Sequence, residues 1–152
     1  MRSPTYSVFG FTLIELIVVL GISSLLLGIF ASDFTSILGR LRLDSSAHDI
    51  ASGLRQCRNL AIVYGETNLF ELDVIQNKYK LGRDGHWKYL PKNIALTLYT
   101  TSEDVSSDSM GRIQFFSDGS TNGGRVTLSL DKLERKIDVN WLTGEVITSR
   151  AN

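Results

Sequence analysis

The chain has 152 residues, with sixteen basic and sixteen acidic side chains, two prolines and one cysteine. A formal charge of zero gives no push toward nucleic acid or acidic lipid. The lone Cys57 excludes an internal disulfide and leaves the redox compartment unread.

Residues 1–10 are short and carry one arginine, Arg2. From Phe11 to Phe30 every residue is apolar or small, except Thr12, Ser23, Ser24 and one carboxylate, Glu15. Twenty residues at about 1.5 Å each span roughly 30 Å, the thickness of a bilayer's hydrocarbon core. A charge in lipid costs on the order of 2.5–3.5 kcal/mol by insertion scales, so a single acid there points to function. A cleaved secretory signal fits poorly: the apolar run is too long, and Ile29 or Phe30 stands where a small residue belongs. An ordinary signal anchor leaves Glu15 unexplained. Charge marks topology weakly, with Arg2 before the span and Arg40 and Arg42 after it.

Beyond Phe30 the helical period continues. Phe34, Ile37, Leu38, Leu41, Ala47, Ile50, Leu54, Cys57, Ala61 and Tyr64 recur at three- and four-residue spacing and form one apolar stripe. Arg40, Asp44, Asp49, Arg55, Arg58 and Asn59 take the opposite face, and Gly65 stands where a helix-ending glycine belongs. A helix from Phe11 to Tyr64 would be roughly 80 Å long. Gly39 and Ser45-Ser46 are places for a bend or break. Cys57 falls on the stripe and reads as a small buried hydrophobe.

From Thr67 the period changes to two. Phe70, Leu72 and Val74 alternate with Glu71 and Asp73 as a half-buried strand. Gln76-Asn77 turns and Lys78–Leu81 returns; Gly82–Gly85 turns again before His86–Leu90. Pro91–Asn93 breaks the chain, and Ile94–Tyr99 is a strand. Thr100–Met110, rich in Ser, Thr and Asp, is a flexible loop. Arg112–Phe116 is a strand and Ser117–Gly124 a glycine-rich loop. Arg125–Leu130 and Lys136–Leu142 pair across an Asp131–Arg135 turn, Thr143-Gly144 turns, and Glu145–Thr148 closes the chain. One long helix followed by short strands implies an α+β fold: an antiparallel sheet, or two small sheets, on the helix stripe. Trp87 and Trp141 are expected as core anchors.

Gly10-Phe11-Thr12-Leu13-Ile14-Glu15-Leu16, ahead of a single apolar span, closely resembles a type IV prepilin signal. The resemblance implies a leader at 1–10, a transmembrane or filament-core helix at 11–31, an amphipathic continuation at 32–65 and a periplasmic β-rich head at 66–152. It implies cleavage between Gly10 and Phe11 by a dedicated prepilin peptidase, and N-methylation of Phe11. The new amine would lie among apolar chains, with Glu15 one helical turn away. Each buried charge is expensive alone and much less so when paired, and a pair between neighbouring subunits would set axial register. Glu15 is therefore assigned to assembly.

The segments Gly111–Val126 and Ile137–Val146 are similar to the strand–loop–strand and closing strands of GspH-type minor pseudopilins, although family members more often carry proline where Ser117 stands. That resemblance implies a type IV pilin-like fold and a minor subunit of a type II secretion system, at or near the tip of a short periplasmic filament. Its implied partners are other minor and major pseudopilins, the prepilin peptidase and an inner-membrane assembly platform. The same domain occurs in FimT- and FimU-type minor pilins, some of which bind DNA through a basic C-terminal segment. Here Arg150 and Glu145 cancel within Thr143–Asn152, whereas phosphate binding needs several cations together.

An enzyme reading finds no convergent acid, base or nucleophile set. Asp44 and His48 share a helix face, but no third metal ligand can be named. The loop Asp118–Gly124 has the composition of a phosphate cradle, yet strands flank it on both sides and no Gly-Lys-Ser/Thr ending follows. No cofactor is expected.

Overall fold

The computed structural model describes residues 11–100 and 110–151, with the side chains of 29–35 and Ala151 left out. The leader 1–10 with Gly10, the 101–109 part of the predicted loop and the side chains of Phe30 and Phe34 lie outside the described residues. The order is one helix, α1 (Leu13–Tyr64), followed by β1 (Asn68–Asp73), β2 (Lys78–Leu81), β3 (Lys88–Tyr89), β4 (Ala95–Tyr99), β5 (Met110–Phe115), β6 (Gly124–Leu130), β7 (Leu133–Val139) and β8 (Val146–Ala151). The chain divides into two compact units, Met1–Leu38 and Gly39–Asn152.

In the first unit, Thr12 caps α1: its Oγ1 accepts a hydrogen bond from the Glu15 amide at 3.3 Å. Thr12-Leu13-Ile14-Glu15 has the spacing of a capping box, and the acid stands in the first turn, where the helix dipole favours it.

In the second unit, two antiparallel four-stranded sheets share one core with the helix. Their orders are β3-β2-β1-β5 and β4-β6-β7-β8. Leu43, Ala47, Ile50, Ala51, Leu54, Cys57 and Ala61 of α1 join Phe70, Leu72, Ile113 and Phe115 of one sheet and Leu96, Val126, Leu128 and Ile137 of the other in a single buried cluster. At about 1.5–3 kcal/mol for each large apolar side chain, this cluster is the main stabilising term. The two-sheet form of the α+β expectation is the one realised.

Both Gly39 and Ser45-Ser46 are helical, so the expected break is absent there. Small residues at these places serve packing instead. Ser46 is buried, and a Cβ on Gly39 would come 3.1 Å from Leu130 Cδ2. Gly53 follows the same logic, because a Cβ there would meet the Phe70 ring at 2.8 Å. The stripe is also shorter than its period suggests: Ile37, Leu41 and Tyr64 are exposed, while Leu43 and Ala51, outside the predicted set, are buried.

Several strand boundaries moved. β1 ends at Asp73, and Val74–Asn77 form the turn, with Asn77 left-handed at φ 50°. The charged run Asp131–Arg135 reads as a five-residue turn, but the turn is Asp131-Lys132 alone. Leu130 pairs with Leu133, and Asp131 supplies φ 53°. Two-residue hairpins favour such positive-φ positions because their twist matches that of the strands. β8 runs on to Ala151, and β3 shrinks to two residues.

Candidate assembly surfaces

The first unit presents apolar side chains on all sides. Leu13, Leu16, Ile17, Val19, Leu20 and Leu27 are each more than half exposed, with values up to 78%. Phe11 and Glu15 are likewise exposed. Exposed apolar residues at consecutive positions put apolar surface on every face of this part of the helix, and patches of that size mark lipid or protein contact sites. Among the described residues, no helix is long and apolar enough to cross a membrane.

In the head, the loops that carry the family resemblance are locked to α1. Arg58 Nε donates to the Gly119 carbonyl at 3.2 Å, and Arg55 Nη2 donates to the Val146 carbonyl at 2.9 Å. Gly144 has φ 64°, and a Cβ there would stand 2.2 Å from the Gly119 oxygen. Asn140 Oδ1 accepts from the Leu142 and Thr143 amides, closing the β7–β8 turn. The composition of Asp118–Gly124 is thus explained by turn geometry. Asp118 accepts from both the amide and the hydroxyl of Ser120, and these bonds hold its carboxyl below the usual range. A carboxylate at the loop tip would repel a phosphate.

Asp44 does not sit with His48 as a ligand pair. It accepts from Arg135 Nε at 2.5 Å, with Arg150 Nη2 at 3.9 Å. Arg135 is 5% exposed, and its Nη1 also donates to the Glu134 carbonyl. Among the described residues, no group of three His, Cys, Asp or Glu could hold a metal ion. The Cys57 thiol is buried, donates to the Leu69 carbonyl at 3.5 Å and is pushed up to about 11 by desolvation.

Neither tryptophan is a core anchor, contrary to expectation. Trp141 is 66% exposed just past the end of β7. Trp87 is half-buried, with the Lys78 and Lys80 ammonium groups 4.6 and 5.1 Å from its ring centre. Glu71 and Asp73, read as the solvent side of β1, are buried. Lys80 and Arg112 close on Glu71 at 2.6 and 3.2 Å, and Lys78 lies 3.6 Å from Asp73. Cross-strand register places these cations beside the acids, which alternation within one strand cannot reveal.

Helix and twin sheets define a pilin-like subunit. The minor pseudopilin EpsH from the type 2 secretion system of Vibrio cholerae superposes with a TM-score of 0.58 at 11% identity, over 72% of this chain and 97% of that one. The type IV minor pilin FimU of Pseudomonas aeruginosa superposes at 0.53 with 10% identity, over 70% and 92%. At such identities these likenesses establish the fold. A family model, type II transport protein GspH, matches residues 46–144. Type II secretion system protein H of Xanthomonas campestris pv. campestris is 32% identical over 137 residues, covering 90% of this chain and 80% of that protein. The chain belongs to the GspH family of type II secretion proteins.

Proposed function

We propose that this chain is a minor pseudopilin that works by assembling, at or near the tip of a periplasmic pseudopilus, and performs no catalysis. The observation that carries this reading is a helix with apolar side chains exposed on every side and a single carboxylate in its first turn. Residues 11–31 would anchor the chain in the inner membrane before assembly and pack in the filament afterwards. Residues 32–65 would continue the helix, and 66–152 would form the periplasmic head. The prepilin peptidase would cut between Gly10 and Phe11 and methylate Phe11. Other minor and major pseudopilins and the inner-membrane platform would be the partners. A FimU-type role in a pilus shares the fold, but the 32% identity to a secretion protein H favours secretion.

Glu15 has two candidate roles: its side chain can support the helix start from the first turn, and it can pair with the Phe11 amine of a neighbour. Glu15→Gln separates them, because glutamine keeps the length and hydrogen-bonding capacity of the side chain, leaves the amide bond to Thr12 Oγ1 in place and loses the charge. In a strain lacking the native gene, Glu15→Gln and Glu15→Leu should both insert in the membrane and both fail to enter sheared filaments. Normal incorporation of Glu15→Gln would reject the charge-pair role. Mass spectrometry of the mature protein tests processing: a chain still starting at Met1 beside an active peptidase would end the proposal.

A further inference from the structure

β5 is an end strand of the first sheet, and one loop residue closes its outer side at Gln114 and Arg112. Asn122 Oδ1 accepts from the Gln114 amide at 2.9 Å, and the Asn122 amide donates to the Gln114 carbonyl at 3.3 Å. Asn122 Nδ2 donates to the Arg112 carbonyl at 3.3 Å. A bridge between Phe115 and Thr121 continues the pairing. A carboxamide carries both a donor and an acceptor, as a peptide group does, so asparagine can stand in for a length of strand. Aspartate would keep the acceptor and lose the donor.

The next residue is fixed as firmly. Gly123 has φ 73°, a left-handed conformation that favours glycine, and a Cβ there would come 3.0 Å from Trp141 Cβ. The fold therefore sets asparagine directly before glycine, for two unrelated reasons. Asparagine is a thermolabile residue, and a following glycine, having no side chain, leaves its amide nitrogen open to attack the carboxamide carbon. The other asparagines that have a following residue precede Leu, Lys, Ile or Trp. In the folded head the reacting groups of this pair are both held. The Gly123 amide donates to Thr121 Oγ1 at 3.3 Å, and that hydroxyl donates to Asn122 Oδ1, also at 3.3 Å. Gly123 and Thr121 are buried.

We infer that Asn122 is a modification site: it deamidates when the loop from Phe116 to Gly124 opens, and the folded head holds the reaction back. On opening, the Gly123 amide loses its proton to water or hydroxide and its nitrogen bonds to Asn122 Cγ. The Cγ–Nδ2 bond breaks, and Nδ2 leaves as ammonia with a proton taken from water. Water then opens the cyclic imide at either carbonyl, giving aspartate or isoaspartate. Aspartate cannot donate to the Arg112 carbonyl and turns a carboxylate toward it. Isoaspartate adds a methylene to the main chain and moves Gly123 from its place against Trp141. Either product uncovers the outer side of β5, and an uncovered edge strand is a template for pairing with another chain. Segments that open locally do so more often than the whole domain unfolds, so the loop's own stability sets the rate. This inference goes beyond the assembly role and does not depend on it.

Peptide mapping by mass spectrometry tests it on the full chain in warm, mildly alkaline buffer, folded in detergent or unfolded in guanidinium. The tryptic peptide Ile113–Arg125 contains the site, and Asp118-Gly119 in the same peptide rearranges without change of mass. The amide-to-acid mass change should appear at Asn122 before any other asparagine in the unfolded chain, and tenfold or more slower in the folded one. Thr121→Val keeps the side chain's shape and removes the hydroxyl; it should speed the folded reaction threefold or more and leave the unfolded rate unchanged. Asn122→Asp, the product itself, should speed hydrogen exchange of the Gln114 amide tenfold or more. Equal rates in the folded and unfolded wild type would overturn the proposal, and that comparison decides even if circular dichroism shows a variant unfolded. So would an unchanged rate in folded Thr121→Val, or Gln114 exchange unaltered by Asn122→Asp.

Discussion

The Asp44–Arg135 pair ties the helix to the inner face of the second sheet, and removing the acid tests how much that tie contributes. Arg135 has 7% of its side chain exposed, while Asp44 keeps 36%. Breaking a buried pair by deleting one partner costs about 3–5 kcal/mol, because the remaining charge is stranded away from water. Water reaches Asp44 from one side, and Arg135 keeps its bond to the Glu134 carbonyl, so the expected loss for Asp44→Ala is smaller, about 2 kcal/mol. For a head of this size that corresponds to a fall in Tm of roughly 10 °C. Asp44→Ala combined with Arg135→Met should recover most of the loss, since a buried pair exchanged for apolar side chains is often neutral. The Arg135 hydrogen bond holds the Asp44 carboxyl below its ordinary value; burial opposes this, and the charges of Arg135, Arg150 and Arg40 reinforce it. The folded value is lowered, so the stabilisation is fully present above the unfolded value of about 3.9 and is lost as pH falls below it toward the folded value. Urea unfolding of the detergent-solubilised chain, followed by circular dichroism, should therefore show a constant gap between wild type and Asp44→Ala from about pH 5 to 8, narrowing under more acid conditions. A gap below about 0.5 kcal/mol at neutral pH, or one that widens in acid, would refute the reasoning.

Two further outcomes follow from the head's construction. Gly144→Ala forces a side chain into a left-handed position and against the Gly119 oxygen; a loss of at least about 2 kcal/mol is expected in the same unfolding assay. Cys57, buried with its thiol raised to about 11, should resist Ellman's reagent at about pH 8 in the folded chain and react at once in denaturing guanidinium. Rapid labelling of the native protein would show that the helix and the first sheet separate readily.

Much of the architecture was legible in periodicity. Apolar spacing of three and four gave the helix, Gly65 its end, and alternation most of the strands, because these signals are local. The errors came where a residue's neighbour lies on another strand. Glu71 and Asp73 alternate as a solvent face should, yet Lys80, Arg112 and Lys78 arrive from β2 and β5 and bury them. Arg135 sits in a charged run that looks like a turn and is instead a buried partner for a helix residue 91 positions away. Trp141 reads as core by type, but the Asn140 turn carries it to the surface.

The amino-acid order alone determined the apolar segment with its single acid, the change of period at Thr67 and the family signature in the glycine-rich loops. Each is a property of residues close together in the chain. Folding decided which polar groups are paired, which aromatics face water and how the strands among the described residues divide into two sheets. Those outcomes depend on register and on close approach between distant segments, and no local pattern records either.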